Sequence, residues 1–266
     1  MEAVVLESVT KLFRDRPALF NWIGRERTGE TRALNEVSLS VLAGEVLVLL
    51  GPNGSGKTTA LKLVSTLLLP DTGRVLVQGA DTRTQGGHVR KHVGFVVAAE
   101  RSFFPRLSAR ENLDFFAALE NIPRKGRAGR VDEALEQTGL LAAADALVMK
   151  FSTGMYQRLG IARALVKQPS ILLLDEPTRS LDPASTARFW ELLRELARSS
   201  CAVLLATHSL NEAAAVGDTV ALLYRGGLAA RQTISARTSV DELRAFYLAN
   251  TAAPEPVNDT PVSMAG

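Results

Sequence analysis

Short runs of apolar and β-branched residues alternate along the chain with stretches whose apolar positions recur at helical spacing. That alternation predicts an α/β fold with a largely parallel sheet. Val46–Leu50, Val93–Val97, Ile171–Asp175, Ala202–Thr207 and residues 219–223 read as its strands. A weaker run at 75–78, just before Gly79, belongs in a side sheet with strands around 4–6 and 39–42. Helical patterns cover 57–68, 131–138, the stretch after Ser152, and 183–197, the last with Asp182 placed to cap it and Pro183 in its first turn, where a missing amide costs nothing. Between Phe95 and Ser152 the strand signals stop. Ser108 and Glu111 there have the spacing of a capping box ahead of Leu113, Phe115, Phe116 and Leu119, so a helical insert is expected over about residues 100–160. Residues 14–32 read as a surface insertion before the second strand, and 123–130 as a solvated loop carrying Arg124, Lys125, Arg127 and Arg130 with no acid. One domain is therefore expected over 1–250, followed by a disordered tail, 251–266, with too little apolar periodicity to fold.

Composition narrows the classes. The 266 residues are 46% apolar and 22% charged, which excludes wholesale disorder. Lys and Arg number 31 against 28 Asp and Glu, and a net charge of +3 is too small to call for a nucleic-acid partner. Cys201, the single cysteine, lies in an apolar run and reads as a buried, inert thiol. The apolar runs fall far short of the roughly 18 residues of a membrane span, and the first residues lack a basic start and an apolar stretch. Neither a span nor a secretion signal is expected.

The chemistry is concentrated in two places. Gly51-Pro52-Asn53-Gly54-Ser55-Gly56-Lys57-Thr58-Thr59 follows an apolar strand and opens a helix, the context that makes a glycine pattern a phosphate cradle. Glycines let the backbone turn tightly so that successive N–H groups point inward, and the helix N-terminus adds partial positive charge. Lys57 is placed to reach the β- and γ-phosphates of a nucleotide, and the Thr58 hydroxyl to bind Mg²⁺. The second place is Ile171-Leu172-Leu173-Leu174-Asp175-Glu176, a buried strand that delivers Asp175 near the metal end of the cradle. Glu176 beside it is the expected general base for a water attacking the γ-phosphate. His88 and His92 sit one helical turn apart without a further ligand and read as surface residues.

A third segment, Phe151-Ser152-Thr153-Gly154-Met155-Tyr156-Gln157-Arg158, opens a helix that ends before Pro169 and precedes the Asp175 strand. In this order the chain resembles the ATP-binding subunit of ABC transporters, whose signature Leu-Ser-Gly-Gly-Gln stands here in degenerate form: Ser152 and Gly154 match, while Phe151, Thr153 and Met155 depart. The resemblance covers about residues 4–230. It implies a P-loop NTPase, RecA-like core with an antiparallel side sheet and an inserted helical subdomain, and ATP with Mg²⁺ as cofactors. Ser152 and Gly154 would hold the γ-phosphate of a nucleotide bound to a second subunit, either another copy of the chain or a homologous ATPase. Residues 177–182 are similar to the family's D-loop, with Asp182 in the aspartate position, and Ala206-Thr207-His208 resembles its switch histidine. Phe13 is the aromatic expected to stack on adenine. Where the family has a glutamine after the 93–97 strand, this chain has Ala99 followed by Glu100.

The resemblance further implies a separate integral-membrane permease, a position on the cytoplasmic face of the cell membrane, and export rather than import. Residues 101–107 with Leu113, Phe115 and Phe116 are the expected docking surface for that permease. ABC-type ATPases of translation would need two cassettes, and those of DNA maintenance a long coiled coil between the nucleotide motifs; neither is visible. A P-loop kinase or GTPase would not need 151–158, the D-loop or His208.

Overall fold

The computed structural model describes residues 1–14, 30–97, 102–179, 181–235 and 237–252. The chain forms β1 (Glu2–Arg14), β2 (Glu30–Leu42), β3 (Val46–Leu50), α1 (Lys57–Val64), β4 (Thr72–Val77), β5 (Ala80–Asp81), α2 (Gly86–His92) and β6 (Val93–Val97). It continues as α3 (Ala109–Leu119), α4 (Arg124–Gln137), α5 (Thr153–Leu165), β7 (Ile171–Asp175), α6 (Pro183–Arg198) and β8 (Ala202–Thr207). The last elements are α7 (Leu210–Val216), β9 (Thr219–Tyr224), β10 (Gly227–Thr233) and α8 (Val240–Thr251).

Among the described residues a six-stranded sheet runs β10-β9-β3-β8-β7-β6, and a four-stranded sheet runs β2-β1-β4-β5. The larger sheet is parallel except for β10, and the smaller is antiparallel throughout. β3, β7 and β8 are buried along their whole length. That is why they are continuous apolar runs: a parallel strand covered on both faces has no solvent side to alternate toward. Val46, Val48 and Leu50 enter a core shared with α3 to α7, while Leu47 and Leu49 enter a second core shared with β1, β2, β4 and α1. The α/β expectation and the side sheet hold.

Several boundaries differ from those predicted. The first helix ends at Val64 rather than reaching residue 68, because Ser65 caps it and Thr66 turns the backbone to φ 65°. β1 and β2 pair as far as Arg14 with Glu30, so both ends of the expected insertion are strand, and residues 15–29 lie outside the described residues. The stretch read as a solvated loop, 123–130, is helical from Arg124 apart from a kink at Lys125 and Gly126. Its acidic partner comes from another element: Arg127 pairs with Asp114 of α3 at 3.7 Å and donates to the Ile122 carbonyl at 2.7 Å. The tail from residue 253 onward lies outside the described residues.

Candidate functional site

β3 and α1 are joined by the glycine-rich loop, and close packing explains two of its glycines. A Cβ on Gly51 would stand 2.2 Å from the Leu223 carbonyl oxygen, and one on Gly56 2.6 Å from that of Ala33. Gly56 also has φ 107° and serves as the N-cap of α1. The cradle is therefore held against β9 on one side and β2 on the other. It opens into a cavity of about 730 Å³ lined by Asn53, Gly54, Gly56, Lys57, Thr58, Thr59, Asp175 and Glu176, together with Thr31, Arg32, Ala33, Val97 and Arg179.

The Lys57 ammonium folds back to donate to the carbonyls of Gly51 at 2.7 Å and Pro52 at 3.0 Å. Burial lowers its pKa, and Glu176 and Asp175 act in the opposite direction. The Thr58 hydroxyl donates to Asp175 Oδ2 at 2.8 Å, and burial raises the Asp175 pKa against the effect of that hydrogen bond. Ser55 Oγ is fully buried with no hydrogen-bond partner among the described residues. A buried hydroxyl without an acceptor, a cation resting on its own loop and a glycine cradle all suit an anionic ligand. A carboxylate beside a hydroxyl at the mouth suits a hard cation.

Glu176 turns sharply out of β7 at φ 51°, a left-handed conformation costly for a residue with a Cβ, and its N–H donates to the Ala206 carbonyl at 2.9 Å. Its carboxylate meets His208 Nδ1 at 2.8 Å, joining the C-terminal ends of β7 and β8. Lys57, Thr58, Asp175, Glu176 and His208 are thus brought to one edge of the sheet, where open α/β sheets bind ligands.

Ser152, Gly154 and Asp182 are not among the residues that line the cavity. Ser152 caps α5, accepting from the Met155 N–H at 3.2 Å, and Gly154 is bare apart from Leu181 Cδ2 at 3.8 Å from where its Cβ would be. Asp182 caps α6 through the Ser185 N–H at 2.9 Å and the Ser185 hydroxyl at 2.6 Å, which hold its carboxyl below the usual range. Phe13 is 41% exposed, carries Lys11 Nζ 5.9 Å from its ring centre, and pairs across the ladder with Thr31 of the cavity wall. Ala99 and Glu100 lie outside the described residues. Thr31, Arg32, Ala33 and Arg179 were not expected. Only the strand register, Leu12 facing Arg32, and the turn after Glu176 bring them to the site. His88 is exposed and His92 half-buried, with ring centres 4.8 Å apart; no cluster of metal-binding side chains occurs among the described residues.

The family described as "ABC transporter" matches residues 34–179, a span that contains the whole cradle and the Asp175-Glu176 edge. The chain belongs to the ABC transporter family. It is an ATP-binding subunit of that family and an ATPase. The cassette is 36% identical over 195 residues to the ABC transporter ATP-binding protein NatA of Bacillus subtilis, covering 73% of this chain and 79% of the relative. It is 36% identical over 220 residues to the daunorubicin resistance ATP-binding protein DrrA3 of Streptomyces coeruleorubidus, 83% of this chain and 67% of that one. Among solved structures it resembles the cassette MJ0796 in a dimeric, post-hydrolysis state bound to ADP and Pi, with a TM-score of 0.74, 28% identity and coverage of 88% of this chain and 99% of that one. It also resembles cbiO1 of Clostridium perfringens, part of the cbiONQ transporter complex, at TM-score 0.74 and 26% identity over 92% of this chain and 91% of that one. No helix among the described residues is long and apolar enough to cross a membrane.

Proposed function

We propose that the chain hydrolyses MgATP to drive export through a separate integral-membrane permease, working as a head-to-tail dimer at the cytoplasmic face of the membrane. The observation that carries this reading is the convergence of Lys57, Thr58, Asp175 and Glu176 on one cavity, with His208 hydrogen-bonded to Glu176. The loop amides and Lys57 bind the phosphates, Lys57 exchanging its two carbonyl partners for phosphate oxygens. Thr58 and Asp175 hold Mg²⁺, which supplies charge neutralisation on the phosphates when bound. Glu176 orients a water and takes its proton as the water attacks the γ-phosphate, and His208 fixes the Glu176 carboxylate. Phe13 offers an exposed ring to adenine beside Thr31. Ser152, Gly154 and Asp182, lying outside the cradle, serve the nucleotide of the partner subunit. An exposed hydroxyl and amides at the start of α5 are suited to that from across an interface.

A groove of about 920 Å³ between the sheet and the helical segment, walled by Leu67, Phe95, Phe116, Leu119 and the cations Arg90, Lys91 and Lys167, supports a permease partner. The docking surface read from the sequence needs correction in part. Leu113 is fully buried and Phe103 only 7% exposed, so both pack the core, whereas Phe104 and Phe115 remain exposed with rings 4.9 Å apart. The drug-resistance name of the Streptomyces relative supports export. The test pairs Glu176→Gln with the parent chain: the variant should bind MgATP, fail to turn it over and dimerise by light scattering. A variant that turns over at the parent rate sinks the general-base role, and one that stays monomeric at saturating MgATP sinks the self-sufficient dimer.

A further inference from the structure

The far end of β1 is held by a side chain where a neighbouring strand stops. Its pairing with β4 reaches only Thr10 opposite Thr72, after a register shift beyond Glu7, and its pairing with β2 shifts register again between Lys11 and Leu12. Past Thr10 no strand among the described residues covers the edge of β1 that faces away from β2. Asp71, the residue before β4, stands in for one. Its N–H donates to the Thr10 carbonyl at 2.9 Å, and its carboxylate accepts from the Leu12 N–H at 2.7 Å. The same carboxylate holds Lys11 Nζ at 3.2 Å, and that ammonium lies 5.9 Å from the centre of the Phe13 ring. Asp71 is itself braced, because the Arg83 guanidinium donates to the carbonyls of Pro70 and of Asp71, the latter at 3.1 Å.

The exposed ion pair with Lys11 is worth little by itself, since solvent screens it. A carboxylate on a main-chain amide does more: it fixes the path of the backbone, through a charge-assisted hydrogen bond stronger than a neutral one. Leu12 faces Arg32 and Phe13 faces Thr31, both residues of the cavity wall, so the pinned stretch is the one that carries Phe13 beside that wall. We propose that Asp71 is a positioning residue for nucleotide recognition: its carboxylate pins the end of β1 through the Leu12 N–H, and so sets where Phe13 meets the base. The proposal rests on the stacking role given above to Phe13. Asp71 does not line the cavity and acts through Phe13 alone. Its loss leaves the phosphate cradle intact and frees the end of β1, which weakens the hold on the base and not on the phosphates.

The test uses two ligands that share a diphosphate and differ by the adenosine, MgADP and magnesium pyrophosphate, in competition titrations on the full chain. Asp71→Ala removes the acceptor, and at 41% side-chain exposure it leaves both cores untouched. Asp71→Asn keeps a carbonyl oxygen for the Leu12 N–H. Asp71→Ala should bind MgADP roughly 3- to 10-fold more weakly, the worth of one hydrogen bond, at unchanged pyrophosphate affinity, while Asp71→Asn stays within about 2-fold of the parent. Phe13→Ala should lose roughly 5- to 100-fold for MgADP, the range for one base stack, and in that background Asp71→Ala should cost nothing further. Parent MgADP affinity in Asp71→Ala, an equal fall for pyrophosphate, Asp71→Asn as weak as Asp71→Ala, or full additivity with Phe13→Ala overturns the proposal. Phe13→Ala in the same series separates the two levels. Were it to bind MgADP as the parent does, the stacking role beneath would fail; were it weakened while Asp71→Ala bound normally, only the pin would fail.

Discussion

Lys57 spends its hydrogen bonds on Gly51 and Pro52, carbonyls of its own loop. A nucleotide therefore meets a cation already held at the cradle and partly desolvated, so little ordering remains to be done on binding. Lys57→Ala should weaken MgATP binding itself, whereas Glu176→Gln should leave binding intact and lower turnover by roughly 10²–10⁴, the range for a lost general base. Equilibrium titration and steady-state rates on the two variants check this contrast, and equal ATP affinity in parent and Lys57→Ala would overturn the cradle reading. Burial pushes the Cys201 thiol up to about 11, so a disulfide reagent at pH 8 should label it only after unfolding. Labelling of the native chain at the rate of a free thiol would contradict that. At this scale the sequence was informative wherever chemistry is packed into a contiguous motif. Gly51 to Thr59 and Asp175-Glu176 could be read directly, and the cavity brings most of them together. Arg32 could not, since nothing local marks it and it arrives through cross-strand register, while Arg179 stands in the 177–182 segment and reaches the cavity through the left-handed turn at Glu176.

Elements were legible in proportion to how completely they are buried or capped. The strands β3, β7 and β8 matched their predicted limits to the residue because a both-faces-buried run ends sharply where the apolar run stops. α3 was legible from its cap: Ser108 accepts from the Glu111 N–H at 3.2 Å and Glu111 accepts from the Ser108 N–H at 2.7 Å. Ser108→Ala should cost about 1 kcal/mol in urea unfolding, the usual worth of such a cap, and no shift in midpoint would show that the tertiary contacts of α3 make the box redundant. The same signal at Ser239 and Glu242 opens α8, and it was overlooked because only Leu243 of that helix is buried, so no apolar stripe draws attention to it. β10 escaped for a related reason: none of its residues is fully buried, and an edge strand without an apolar face gives no period to read. In 123–130 the row of basic residues hid a helix, because the neutralising Asp114 belongs to α3.

At the scale of the molecule, the proposed head-to-tail dimer is a two-fold arrangement in which the cradle of each copy would meet Ser152 and Gly154 of the other. Hydrolysis-deficient Glu176→Gln protein should accordingly shift from monomer to dimer on adding MgATP, and Ser152→Ala in that background should weaken the shift without altering nucleotide affinity of the monomer. Light scattering with and without nucleotide reads both outcomes, and a dimer indifferent to Ser152 would remove that residue from the interface. The central strand β3 carries a further consequence. Its side chains feed both cores by turns, Val46, Val48 and Leu50 into one and Leu47 and Leu49 into the other, and it is bonded on each side, to β8 and β9. Loss of the layer over either face would leave those ladder bonds in place, so the strand is freed only when the sheet itself comes apart. In deuterated water the amides of 46–50 should therefore exchange only through whole-chain unfolding and report the global stability, while those of α8, held by one buried leucine, exchange through local fraying long before.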